Sequence, residues 1–228
     1  MKIIELDNRL RLIAALAAGG GRVADVGTDH GYIPVYLAQT GLAERITASD
    51  VNPGPLQAAR RSAERYGVAD RIGFVLSDGL ENVPRDVDTV IVAGMGGETI
   101  QGILERADWL REKDARLILQ PQSKLPELTS WLRENGYALT DAALAREGDR
   151  YYPVLTVRPG EGGAEDAEAL LLEKRDPLLP GYLDARIARA ERIAGGIARS
   201  RRAENGAEAQ ELLDRLIRMK EETEKWRP

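Results

Sequence analysis

Two periodicities share this chain. Near the start, Leu6, Leu10, Ile13, Leu16 and Ala17 recur at helical spacing, which predicts an amphipathic helix stopped by Gly19, Gly20 and Gly21. Short apolar runs follow at 22–26, 45–49, 72–76, 87–93, 115–119 and 152–157, and helical stretches around 34–40, 54–67, 98–107 and 124–135 lie between most of them. Strand alternating with helix predicts a parallel sheet with right-handed crossovers. Asn135-Gly136 stops the last of these helices. The segment 137–157 then reads as two strands joined by a turn near Glu147-Gly148-Asp149, an antiparallel pair closing the edge of the sheet. The expected fold class is α/β, a Rossmann-like, doubly wound, mostly parallel sheet.

After Arg158 the pattern changes. Pro159, Gly160, Gly162 and Gly163 mark a linker, and no strand pattern follows. Leu183, Ile187, Ala190, Ala194 and Ile197 form one heptad seam, and Ala209, Leu212, Leu216, Met219, Thr223 and Trp226 form another. With Asn205-Gly206 as the turn between them, they predict an antiparallel, coiled-coil-like helical hairpin. Each helix spans only about two heptads, so the pair needs a surface to pack on. The expected domains are residues 1–158, built on the sheet, and residues 159–228, all helical.

Composition narrows the chemistry. The 228 residues contain no cysteine, which excludes disulfides, thiolate catalysis and Cys-ligated zinc. His30 is the single histidine, which excludes a multi-histidine metal site, so no metal is expected. No apolar run approaches the ~20 residues needed to span a bilayer, and no leader pattern opens the chain, so a cytoplasmic protein with no membrane partner is expected. A net charge of −5 argues against nucleic acid until the charges are placed. Between Tyr182 and Arg202 stand Arg186, Arg189, Arg192, Arg199, Arg201 and Arg202, against only Asp184 and Glu191. Arg186, Arg189 and Arg192 are spaced to fall near one helix face, with a solvated face as the plainer alternative. Arg9 and Arg11 add two charges on the first helix.

The chemistry collects where strands end. The first strand runs into Asp25-Val26-Gly27-Thr28-Asp29-His30-Gly31, with aspartate where a dinucleotide fingerprint has its first glycine. A buried acid there repels a pyrophosphate and suits a cation, such as the α-amino group of S-adenosyl-L-methionine; a tight glycine turn without a ligand is the plain alternative. Asp50 ends the second strand, 25 residues further on, where a doubly wound fold accepts hydrogen bonds from a ribose. Val51-Asn52-Pro53 follows it. Asp78-Gly79 ends the third strand, with Asp78 placed to accept from an adenine amine, and Gly94-Met95-Gly96-Gly97 ends the fourth. Each aspartate alone also suits a helix N-cap; four strand ends with polar or glycine residues form a ligand edge. The cofactor set is therefore Asp25, Gly27, Asp50, Val51, Asn52, Asp78, Gly79, Gly94 and Met95.

Together DVGTDHGYIP, ITASDVNPGPLQAA, LSDGL, VIVAGMGG and LILQPQ resemble the bacterial tRNA (adenine-N1)-methyltransferase TrmK family. The match runs in order from LDNRLRLIAAL to about Val157, and the helical tail agrees in architecture more than in motif. The resemblance implies a class I methyltransferase that uses S-adenosyl-L-methionine to methylate N1 of adenine 22 in tRNA, as a monomer or weak dimer. The alternatives are another RNA or a small molecule as substrate, or a non-catalytic RNA-binding protein on the same fold. N1 of neutral adenine carries a free lone pair, so positioning outweighs a strong base. Asp29, on the cofactor loop, is the first candidate to accept from the target base, unless it caps the following helix. His30 is placed to contact base or phosphate, or to make a structural hydrogen bond, and Tyr32 to stack on a flipped base or to join the core. The glycines Gly96 and Gly97 leave room for a base beside the backbone, Gln120 and Gln122 border the substrate side, and Arg9 faces either RNA or the cofactor pocket. The arginines of the tail, with Arg11, form the expected RNA surface.

Overall fold

A computed structural model describes residues 2–19, 21–200 and 206–226; the side chains of 196–200 and of Gly206 are outside the described set. Asp7 opens α1 (Asn8–Ala17) by accepting from Leu10 N–H at 2.7 Å, which satisfies one of the free donors of the first turn. Leu6 lies before the helix, buried beside Ile13 and Ala14. Five strands and four helices follow, with no α-helix between the third and fourth strands. They are β1 (Arg22–Val26), α2 (Tyr32–Thr40), β2 (Arg45–Asp50), α3 (Pro53–Arg65), β3 (Ile72–Leu76), β4 (Thr89–Gly96), α4 (Gly97–Glu105), β5 (Arg116–Ser123) and α5 (Leu125–Glu134). The expected pair is β6 (Tyr137–Glu147) and β7 (Arg150–Pro159).

The seven strands lie in the order β3-β2-β1-β4-β5-β7-β6. The first five are parallel, and β7 inserts antiparallel between β5 and β6. Apolar runs without polar interruption are what a sheet covered on both faces requires. Val23, Ile46, Ile72, Ile91, Ile118 and Val154 join the core beneath α1 and α2. Their strand neighbours, including Val90, Leu117 and Leu119, are buried too, and α4 and α5 contribute Ile100, Leu104, Leu128 and Leu132 to the buried set. The chain winds outward from β1 to β3, then returns to the other side of β1 as β4. The carboxyl ends of β1 and β4 therefore border the crevice where open α/β sheets bind ligands.

Strand ends at the carboxyl edge differ from the sequence expectation: β5 runs on through Ser123, past the expected end at 119. The fourth strand does not end at residue 93 but runs through Gly96, with irregular pairing to β5 around Met95. Gly97 is then the buried first residue of α4, and not an open loop position beside a base. A Cβ there would lie 2.7 Å from the Lys124 carbonyl oxygen and 2.9 Å from that of Ser123, so its missing side chain serves the seating of α4 on the end of β5.

The chain divides into two compact units, Met1–Ala167 and Glu168–Pro228. That division falls later than the composition shift at Arg158, because the intervening residues stay bonded to β6 and its turn: Gly160 N–H donates to Gly136 O and Ala164 N–H to Leu139 O, each at 2.9 Å. The second unit comprises α6 (Ala167–Glu173, whose first residue belongs to the first unit), α7 (Leu179–Ser200) and α8 (Gly206–Glu224). Leu183, Ala190, Leu216 and Thr223 bury the seam as expected, whereas Leu212 is exposed. Lys220 ties the pair in antiparallel sense, 2.7 Å from Asp184 and donating to Pro180 O at 3.0 Å. Asn205, expected in the turn, and Gly20, expected in the first helix stop, lie outside the described residues. Replacing Gly97 by Ala should lower the unfolding free energy by about 1–3 kcal/mol, read as a drop in the urea midpoint at unchanged slope, because the Cβ overpacks against fixed backbone.

Candidate functional site

Five loops meet at the carboxyl edge of the sheet. The first is anchored by backbone: Gly27 N–H and Thr28 N–H both donate to Ser49 O at 2.9 Å, which lashes the β1 loop to β2. Gly27 has φ +71, a left-handed conformation that favours glycine, and the Met95 methyl packs into the space a Cβ would take. Asp25, at 5% exposure, is buried behind this loop. Thr28 Oγ1 donates to its Oδ2 at 2.7 Å, and no Lys or Arg pairs with it among the described residues. Burial pushes the Asp25 carboxyl up to about 6; the Thr28 hydroxyl opposes this and the nearby Asp50 charge adds to it. A buried carboxylate with one neutral donor is completed by a cationic amine.

Asp50 is nearly buried at the end of β2. Its Oδ1 accepts from Asn52 N–H at 2.9 Å, which holds the carboxylate at the mouth of the crevice. Val51 and Leu76 stand exposed beside it at the ends of β2 and β3, two apolar surfaces at a polar rim, suited to the faces of an aromatic ring. Asp78 is not a free acceptor: its Oδ1 takes a hydrogen bond from Arg106 Nη2 at 3.0 Å, an ion pair to the end of α4. Ser77 Oγ donates to Gly79 O at 3.0 Å and accepts from Asn82 N–H at 3.0 Å, so the β3 loop that presents Asp78 and Gly79 is braced from within. The donor set fits a ligand that joins a cationic amine, a diol and a flat ring.

On the opposite side of β1, the fully buried Gln120 is a hub. Its Oε1 accepts from Arg9 Nη1 at 3.1 Å, Gly94 N–H at 3.2 Å and Gln122 Nε2 at 3.3 Å, while its Nε2 donates to Pro121 O at 2.9 Å. These partners fix the amide's orientation and aim Arg9 at the β4 loop, with its guanidinium beside Gly94. Tyr152 backs the Arg9 guanidinium at 5.5 Å, and Glu147 accepts from Arg9 N–H at 3.1 Å. Arg11 donates to Leu6 O at 3.2 Å, which ties it to the entering chain.

Asp29 and His30 sit at the tip of the β1 loop. Asp29 caps no helix, since α2 starts from Gly31 without a side-chain cap. It has φ +51, a left-handed conformation that aspartate tolerates better than most residues, and its side chain is exposed. His30 Nε2 lies 3.8 Å from Asp29 Oδ1, and the His30 ring stacks on Tyr32 at 5.5 Å between centroids. Tyr32 is exposed, so it is not a core aromatic.

Among the expected RNA arginines, Arg186 is turned inward. Its Nη1 donates to Glu168 at 2.5 Å and to the Tyr182 hydroxyl at 2.9 Å, and buried Glu168 needs that cation. Arg189 and Arg192 are exposed, and the side chain of Arg199 lies outside the described residues. Thr28, Arg106 and Tyr152 were not anticipated. Thr28 had a local signal, its position three residues after Asp25; the others act across long sequence separations that periodicity does not report.

A methyltransferase-domain family model matches residues 6–155. Over 166 residues the chain is 35% identical to the tRNA (adenine(22)-N(1))-methyltransferase of Bacillus subtilis, an alignment that covers 72% of this chain and 69% of that protein. The crystal structure of the B. subtilis M1A22 tRNA methyltransferase TrmK superposes with a TM-score of 0.76 at 28% identity, covering 98% of this chain and 99% of that one. A second match, at TM-score 0.81 and 25% identity over 95% of this chain and 100% of the other, is Streptococcus pneumoniae Sp1610, described as a putative tRNA (m1A22) methyltransferase, in complex with S-adenosyl-L-methionine.

Unfolded, the Asp25 carboxyl titrates near 3.8 and folded near 6, so between these values the folded chain holds the extra proton and its stability falls as pH rises. Asp25→Asn should therefore stabilise the ligand-free protein by about 2 kcal/mol at pH 7, and this gain should vanish toward pH 4, as measured by urea unfolding at the two pH values.

Proposed function

Since the chain belongs to the tRNA (adenine(22)-N(1))-methyltransferases, we infer that it methylates N1 of adenine 22 in tRNA with S-adenosyl-L-methionine as donor. The observation that carries this reading is the buried Asp25 carboxylate behind the Gly27 loop, facing the Asp50 edge. S-adenosyl-L-methionine supplies an electrophilic methyl on a sulfonium when bound. Asp25 receives its α-amino group, Asp50 its ribose hydroxyls, and Val51 with the Asp78-Gly79 loop its adenine. Asp78 keeps its pairing to Arg106 and offers the base an acceptor already oriented by that cation. Arg9, steered by Gln120 and Tyr152 toward Gly94, neutralises negative charge on the amino-acid end.

Transfer is an in-line displacement. The N1 lone pair of adenine forms the new bond to the methyl carbon as the carbon–sulfur bond breaks, and its electron pair stays on sulfur. The work left to the protein is alignment, with reacting atoms about 3–3.5 Å apart. The base becomes cationic as the bond forms, so an acceptor beside N1 and the 6-amino group stabilises the transition state. Asp29, exposed on the loop that covers Asp25, has the place and the charge for that role. His30 and Tyr32 offer ring faces against which an extruded base stacks. In the second unit, the exposed Arg189 and Arg192, with Arg199, form a surface for tRNA phosphates.

Unmodified tRNA incubated with labelled S-adenosyl-L-methionine and digested to nucleosides should yield 1-methyladenosine. In the same assay Asp29→Ala should lower the rate about 10²-fold while leaving cofactor affinity within twofold by calorimetry. N6-methyladenosine, or no methylated adenosine, would overturn the reaction assignment. Replacing Arg189, Arg192 and Arg199 by Ala should weaken tRNA binding about tenfold without changing cofactor affinity; equal tRNA affinity would remove the second unit from recognition.

A further inference from the structure

Beside the tip of the β1 loop lies a hollow of about 480 Å³. The start of α2, the outer face of α3 and the N-terminal segment form its walls. Its lining pairs two kinds of group. Arg61 and Arg65 stand one turn apart on α3 and are exposed. Neither has a carboxylate partner among the described residues, and Arg65 rests over the Tyr66 ring at 5.9 Å. Arg60, the third arginine of this helix, is spent over Phe74 at 4.6 Å and is not part of the lining. The other kind is aromatic: His30 and Tyr32, stacked on each other and both exposed. Glu5 is the one acid in the lining, and Lys2 pairs with it at 2.9 Å.

Free guanidinium groups beside exposed flat rings match a strand of phosphodiester with unstacked bases. An acidic peptide would use the arginines and leave the ring stack idle. Duplex backbone would likewise leave the rings without a base to stack on. The hollow is lined by His30, next to Asp29 on the β1 loop, and by Tyr32 at the start of α2, so it lies beside the loop that presents Asp29.

We propose that this hollow holds the RNA nucleotides flanking the target adenine, with Arg61 and Arg65 on their phosphates and the His30–Tyr32 stack against a base. The proposal rests on the tRNA-methyltransferase reading for the identity of the strand. It gives the first unit its own grip on RNA, separate from the arginines of α7. Binding there orients the target before transfer, so its loss raises KM for tRNA and spares turnover once tRNA saturates.

The test compares the wild-type chain with Arg61→Ala/Arg65→Ala and with Arg133→Ala, an exposed arginine on α5 outside the hollow. Filter binding of unmodified tRNA, without cofactor, over a range of KCl concentrations should show the double variant about 10- to 50-fold weaker at low salt. The slope of log affinity against log salt should shrink by about 1.4, the value for two lost single-strand phosphate contacts. Arg133→Ala should match wild type, Arg61→Lys/Arg65→Lys should recover most of the affinity, and kcat at saturating tRNA should stay within about twofold. An unchanged affinity and salt slope in the folded double variant would overturn the proposal. Failure of the wild-type chain to form 1-methyladenosine would instead overturn the reaction reading, and the binding series would still decide whether the hollow grips RNA.

Discussion

A carboxylate kept nearly dry on the central strand of a sheet is expensive unless a cation lies against it. Asp25 is in that position, and its surroundings are arranged around the deficit. The Ser49 carbonyl holds the Gly27-Thr28 backbone so that Thr28 can supply one hydroxyl donor. That donor is neutral and leaves the charge uncompensated, so the carboxyl drifts toward holding a proton. A ligand amine would resolve the deficit, and part of its affinity comes from relieving a cost the empty protein carries.

The other half of the site follows a different logic. Around Gln120 the amide is fully engaged: its one oxygen collects a guanidinium, a backbone amide and a neighbouring amide. This cluster reads as a rigid frame, because β5 itself supplies Pro121 and Gln122 and the other groups come from separate elements. Arg9 comes from α1, Gly94 from the irregular end of β4 and Tyr152 from the antiparallel β7. The protein thus sets a buried, uncompensated acid on one side of β1 against a hydrogen-bonded frame on the other, which is how a site combines affinity with fixed geometry.

Much of this was legible in the order of residues. Short, mainly apolar runs bounded by turn residues mark strands, so β1 and β3 fell where the pattern put them, and the turn at Gly148 announced the terminal pair. Asp25, Asp50 and Asp78 could be placed at the strand ends, where the structure has them, because a strand end is a local feature. What periodicity does not carry is who sits opposite. Arg186 looked like surface charge until Glu168, 18 positions earlier, was seen buried against it. Asp78 looked free until Arg106 arrived from the end of α4. Gly97 looked like room for a base, although the space it leaves is filled by the backbone of Lys124. The extension of β4 through Gly96 escaped for a related reason, since glycines that read as a loop are also what an irregular strand end tolerates.

Asn8 and Arg9 meet their partners Arg146 and Glu147 across a sequence separation of 138 residues, and Arg9 reaches Gln120 across 111. During synthesis the first helix therefore emerges long before the groups that orient it. The crevice around Asp25 and the Gln120 hub draw on residues up to 122, but Glu147 and Tyr152, which complete the hold on Arg9, come from the β6–β7 turn. Such distant closure makes the finished site a late event in folding. A nascent or truncated chain that ends before residue 147 carries the loop with Asp25 and Asp29 and lacks the two groups that clamp Arg9 from behind, so it reaches the ligand-binding motif before the last of its support.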